Sequence, residues 1–195
     1  VGGELQSEGL DPSSFSPELK HFLEASGWAR GEYRDIDGLL KDLNQSGYRA
    51  TETAERLLRS LYGLSIEASR NDAFGLHPCE PLVVDPYEAA LSGGLDTEGL
   101  SEEFGGSWFP VGTWLSYSSV YVEASGAMIA TGMGWYWHLG DSIEESLELA
   151  ICLDRPLRCL NLDPGQAPWP RYADGIWFES SVTGGTMSHV ERHHP

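Results

Sequence analysis

The sequence predicts an α+β domain: a central, mostly antiparallel β-sheet flanked by helices, followed by a C-terminal extension. Three observations carry this expectation. Residues 108–153 read as strand, turn, strand, aromatic strand and then helix, a β-meander followed by a covering element. Residues 15–63 hold three successive capped segments with apolar residues at helical spacing. After Asp154 the chain turns to prolines and isolated aromatics, a pattern that continues neither element.

Taken in order, residues 1–14 show no periodicity and read as a flexible polar leader, and the domain proper is expected over 15–155. The stretch VGGELQSEGLDPSS lacks the basic region and apolar core of a signal peptide. Ser16 caps a first helix with Pro17 at its first position, Leu19, Phe22 and Leu23 on its apolar face, and Gly27 as its stop. A second helix follows Asp35 or Asp37, turns Leu39, Leu40 and Leu43 inward and ends at Gly47. Thr51 caps a third. Its Glu52 and Glu55 are spaced to pair with Arg56 and Arg59, while Ala54, Leu57, Leu58 and Leu61 face the core.

Strands are then expected at Leu64–Ala68 and Leu82–Val84, and short helices from Asp85-Pro86 to Leu91 and from Thr97 to Phe104. In the meander, Val120 and Val122 alternate with Ser119, Tyr121 and Glu123, the period of a half-buried strand. Ser125-Gly126 marks a turn, Met128–Thr131 a return strand and Trp135–Leu139 a third. Ser142 and Glu145 form a capping box before Ile143, Leu147, Ala150 and Ile151 recur at helical spacing. Residues 156–195 form the extension. Trp169, Ile176, Trp177 and Phe178 are apolar enough that part of it is expected to dock on the domain.

The charge is uneven. Net charge is −18, from 30 acids against 12 bases. From Asn71 to Asp154 there are 14 acids and neither Lys nor Arg. Such a surface repels nucleic-acid phosphates and anionic membrane, and attracts a basic partner. No apolar run approaches membrane-spanning length. Three cysteines, Cys79, Cys152 and Cys159, are an odd count that argues against a disulfide framework and suits a reducing, cytoplasmic setting.

Motifs for chemistry are sparse. There is neither a C-x-x-C pair nor H-E-x-x-H, and the terminal cluster of His189, Glu191, His193 and His194 lacks a fold to fix ligand geometry, so no metal and no cofactor is expected. Gly132 and Gly134 begin a G-x-G pattern, but Trp137 stands where a third glycine would be; a strand kink or bulge is the reading. No G-x-S-x-G elbow occurs. His138 could serve as a base, but among aromatics it reads as structural. No catalytic residue is expected.

What remains is surface character. Trp114, Tyr117, Tyr121 and Tyr136 lie in the meander with Glu123, His138 and Asp141, close in sequence to Glu102 and Glu103. Alternation places Tyr121 with Glu123, and Tyr136 with His138, on the side away from Val120, Val122, Trp135 and Trp137. An aromatic and acidic face of this kind suits protein binding, and these nine residues are the candidate partner contacts. A docked extension covering the same face is the alternative.

A family resemblance runs through the same region. Gly27-Trp28 with Arg30-Gly31, Asp35-Ile36, Val84-Asp85-Pro86 and Pro110-Val111-Gly112 appear in order. A strand, a Ser-Gly turn, a second strand and an aromatic strand follow, ending in the Leu-Gly-Asp-Ser-Ile-Glu-Glu-Ser-Leu run of 139–147. This order over roughly residues 15–155 resembles the SUKH-3 group of the SUKH (Smi1/Knr4-like) immunity proteins. The resemblance implies a Smi1/Knr4-like fold and a bacterial immunity protein. Such a protein binds and neutralises a cognate toxin domain, often a nuclease or nucleic-acid deaminase, by stoichiometric occlusion. The acid-rich half fits independently, because a toxin that holds nucleic acid is basic. The tail beyond Leu153 departs from the family pattern. A regulatory or scaffold module of the same superfamily is the alternative, and a small hydrolase using His138 a more distant one.

Overall fold

In a computed structural model the chain is described over residues 9–69, 81–91, 97–115, 118–132 and 134–161, with the backbone of 178–180. Three helices come first: α1 (Pro17–Ala25), α2 (Asp37–Gln45) and α3 (Glu52–Leu61). Ser16 caps α1 by accepting the Leu19 N–H at 3.0 Å, and Thr51 caps α3 through Ala54. α2 has no side-chain cap of its own; Asp35, two residues upstream of its first residue, accepts the Asp37 N–H instead. α1 and α2 end alike. Trp28 N–H bonds Leu23 C=O and Gly27 N–H bonds Glu24 C=O, and Tyr48 and Gly47 repeat this on Leu43 and Asn44. These are Schellman closures, which place an aromatic side chain back over the last turn. The expected pairing of Arg59 with Glu55 does not form: Arg59 reaches across to Asp37 at 3.1 Å and ties α3 to α2.

The ordered domain starts before the expected boundary at residue 15. Leu10 is buried, its N–H donating to Ser60 Oγ on α3 at 2.9 Å, and Pro12–Ser14 form a 3-10 turn capped by Asp11. An apolar residue in an otherwise polar segment anchors it, and a periodicity test does not register a single anchor.

The sheet runs in sequence order: β1 (Ser65–Ile66), β2 (Leu82–Val83), β3 (Trp108–Trp114), β4 (Ser118–Glu123), β5 (Met128–Gly132), β6 (Trp135–Gly140), β7 (Leu157–Cys159) and β8 (Phe178–Ser180). Neighbours are antiparallel except β8, which lies parallel to β7. β7 follows residue 155, so the sheet extends past the expected end of the domain. Trp169, Ile176 and Trp177 lie outside the described residues. The glycines at 132 and 134 form a hairpin tip rather than a kink: Gly132 faces Trp135, and Gly134 takes φ +84°. β3 passes so close to β2 that a Cβ on Gly112 would run into the Val83 carbonyl.

Two further helices, α4 (Pro86–Leu91) and α5 (Thr97–Phe104), have the expected bounds. Their placement changes the reading of the sheet. Val120, Val122, Met128, Ala130, Trp137 and Leu139 face the main core with α1–α3. On the other face Tyr121, Ile129 and Trp108 close over Leu100 of α5, and Ser119 donates to Ala89 C=O of α4 at 3.2 Å. β4 is therefore buried along both faces rather than half-buried.

The helix after β6 also departs from expectation. α6 (Ile143–Leu147) widens into a π-helical turn, Glu148–Cys152, ending at Leu153 with φ +53°. Leu147, Leu149, Ala150, Ile151, Cys152 and Leu153 are all buried, which no single stripe of a 3.6-residue helix would achieve. Carbonyls near the end of this segment find partners outside the helix: Trp114 Nε1 donates to Ala150 C=O at 3.1 Å, and Ser69 N–H to Ile151 C=O at 2.6 Å. Arg155 Nη2 bonds the carbonyls of Leu139 and Glu145, each at 2.7 Å, clamping α6 to β6. No helix of the described residues is long and apolar enough to cross a membrane.

Candidate functional site

Eight of the nine candidate contact residues are described, and they fall in different surroundings. Trp114 and Tyr121 are interior, at 0% and 2% exposure. Trp114 spends its indole N–H inside the core on Ala150, and Tyr121 lies beneath α5. An open aromatic surface at these two positions is not what the fold presents. Trp114 belongs to the main core, and at Tyr121 the cause is α5: its apolar residues Leu100 and Phe104 need a surface to cover, and the second face of the sheet supplies it. Tyr117 lies outside the described residues.

Glu123 is only half-buried, yet its acceptors are committed to local structure. Ser107 N–H donates to Oε1 at 3.0 Å and Ser125 N–H to Oε2 at 2.6 Å, closing the β4–β5 hairpin onto the end of α5. Burial works to raise its pKa. The hydrogen bonds from Ser125 and Ser107 outweigh that and hold the carboxyl below its ordinary value.

The other five converge at one corner, where α5 ends over β6. Glu102 and Glu103 are exposed on the last turn of α5. The next residue, Phe104, packs edge-on against Tyr136 with ring centroids 5.0 Å apart. Tyr136 is half-buried, and its phenol pKa is raised by burial and then by the nearby charge of Glu103. His138, two residues along β6 and on the same face, lies 2.9 Å from Asp141; the side chains are 23% and 87% exposed. β7 brings in a residue outside the predicted set: Arg158 is the register partner of His138 and is exposed. Alternation in Leu157-Arg158-Cys159 was the available signal, but the preceding Pro156 reads as the start of an irregular tail. Asn161 fixes the corner from below, accepting the Tyr136 N–H at 3.0 Å and donating to Gly134 C=O at 2.8 Å.

Chemically, this corner offers an aromatic edge, a surface His–Asp pair and exposed charges of both signs. Arrangements for catalysis are not evident among the described residues. Among the described residues the hydrogen-bond partner of His138 is Asp141. Cys152 and Cys159 are free and buried, and burial pushes both thiols up, with the charge of Glu148 adding to the effect at Cys152. No group of three His, Cys, Asp or Glu side chains is placed to hold a metal among the described residues. His189, Glu191, His193 and His194 lie outside them. Comparison with protein-family models, curated proteins and solved structures finds no match to this chain.

Proposed function

We propose that this chain is a cytoplasmic immunity protein of SUKH-3 type, with a Smi1/Knr4-like fold. It would act without catalysis, binding a cognate basic toxin domain stoichiometrically and excluding its substrate. The observation that carries the proposal is the sign of the charge carried by residues 71–154. Glu88 on α4, Glu98, Glu102 and Glu103 on α5 and Asp141 after β6 are all exposed, and no Lys or Arg occurs in that stretch. Acidic surfaces of this extent steer a basic protein into encounter and turn nucleic acid away. The order of motifs from Gly27-Trp28 to the 139–147 run supports the same assignment.

The test pairs the purified chain with the toxin domain encoded by the neighbouring gene. Toxin activity should fall linearly to zero at a 1:1 ratio. Association should slow markedly between ~0.05 and ~0.5 M salt, as the screening length shrinks to a few ångströms. Inhibition that is catalytic in the chain, or an association rate indifferent to salt, would refute the proposal. So would undiminished toxin activity at a molar excess of the chain.

A further inference from the structure

We infer that a cleft in the helical layer, between α1, the Pro12–Ser14 turn and the segment after α1, binds a small zwitterion of the amino-acid class. The site is separate from the acidic surface proposed above: α1 packs on the main core, whereas α5 lies over the other face of the sheet. The cleft has a volume of about 230 Å³ and is lined by Pro12, Ser13, Lys20, Glu24, Trp28 and Arg30. Pockets for drug-sized ligands span about 300–1,000 Å³, so this one takes a molecule of about amino-acid size.

The first pointer to a ligand is Trp28. Its position is fixed by the Schellman closure on Leu23 and by the Phe15 ring, whose centroid lies 6.1 Å away. Trp108 and Trp114 each donate their indole N–H to a carbonyl. Trp28 is only 7% exposed, yet its indole N–H has no acceptor among the described residues and is not sealed into the core. A nearly buried donor that lines a cleft unsatisfied is set to meet an acceptor there. The charges are the second pointer. Lys20 and Glu24 stand one turn apart on α1, the spacing at which such residues pair, but no ion pair joins them. Arg30 has no ion pair among the described residues either. Asp11, close enough to feel both cations, has its two oxygens engaged by Ser13. A free amino acid matches this set: carboxylate toward Lys20, Arg30 and the Trp28 N–H, ammonium toward Glu24, side chain on Pro12 and the indole ring. A plain anion would be opposed by Glu24, and a plain cation by Lys20 and Arg30.

The experiment titrates the full chain with three probes and follows amide and indole N–H chemical shifts. The probes are phenylalanine, its amide, which lacks the carboxylate, and its N-acetyl form, which lacks the ammonium. Phenylalanine should bind in the low-millimolar range, as suits a dozen heavy atoms in an open cleft, and should shift the Trp28 indole N–H with residues 13, 20, 24 and 30. The amide should bind about tenfold more weakly, the size of two exposed ion pairs, and the N-acetyl form about two- to fivefold more weakly, the size of one. Lys20→Ala combined with Arg30→Ala should remove the preference for the acid over the amide. Glu24→Gln should remove the preference for the free over the acetylated amine. These three side chains reach solvent, so the variants should fold, as amide dispersion checks. Equal binding of phenylalanine and its amide, equal binding of the N-acetyl form, preferences unchanged in the variants, or shifts confined to other surfaces would overturn the inference. So would the absence of any shift up to ~50 mM. Each of these outcomes leaves the reading of the acidic surface standing.

Discussion

Replacing Glu148 with Ala should destabilise the whole domain, because this side chain joins the two ends of the chain's main core. Glu148 stands on the π-helical turn, and its carboxylate accepts the Ser16 N–H at 2.7 Å and the Ser16 hydroxyl at 2.9 Å, across 132 residues of sequence. Ser16 is the cap of α1, so the negative charge also sits at a helix N-terminus. Hydrogen bonds to a charged group contribute about 1.5–3 kcal/mol each, and partial exposure lowers this for both. With a helix-terminus contribution of about 0.5 kcal/mol, Glu148→Ala should cost about 3 kcal/mol. For a domain of this size that lowers the melting temperature by roughly 6–12 °C. Glu148→Gln keeps an acceptor but loses the charge, and should cost about half as much. Urea unfolding followed by tryptophan fluorescence reads the change as a shifted midpoint at unchanged slope. Ser16→Ala alone also removes the cap on Leu19, so the pair must be isolated by a double-mutant cycle, with an expected coupling of about 1–2 kcal/mol. A loss below about 0.5 kcal/mol in Glu148→Ala, or strictly additive single effects, would refute the reasoning.

Gly112→Ala should be among the most damaging single changes, costing at least about 2 kcal/mol, because the new methyl meets backbone of β2 rather than a side chain that can turn away; thermal melting checks this. Trp114→Phe should cost about 2 kcal/mol by leaving the Ala150 carbonyl unpaired in the core, with faster amide exchange over 148–153 as the local readout. Glu123 should contribute acid sensitivity. Its folded pKa is depressed, so its stabilisation is present above the unfolded value near 4.5 and is lost as pH falls below it. Unfolding free energies from pH 7 to 3 should therefore fall less steeply in Glu123→Gln. In a Cys79→Ser background, Cys152 and Cys159 should resist thiol reagents until the domain unfolds; their raised pKa values add a loss of stability as pH climbs past about 9, where unfolded thiols ionise.

Much of the fold was legible in local sequence, and the reason is that its signals are local. Ser16-Pro17, Thr51 and Ser142 announce helix starts because a cap acts on backbone groups two or three residues away. The Ser125-Gly126 turn and the alternation of Val120 and Val122 place a strand and its partner for the same reason. The uneven charge, with 71–154 free of Lys and Arg, is a property of composition that folding does not alter. What tertiary structure decided is which face each element turns inward. Alternation separates Tyr121 from Val120 but does not say which side stays open. α5 covers the Tyr121 side, so both are buried. Capping rules do not place Glu148 against Ser16, and helical periodicity does not reveal that the helix carrying it widens into a π turn to bury Leu149 through Leu153. Arg158 entered the candidate site through strand pairing with His138, a contact between segments 20 residues apart. Such contacts depend on how elements compete for the same apolar surface, and that competition is settled only when the whole chain is packed.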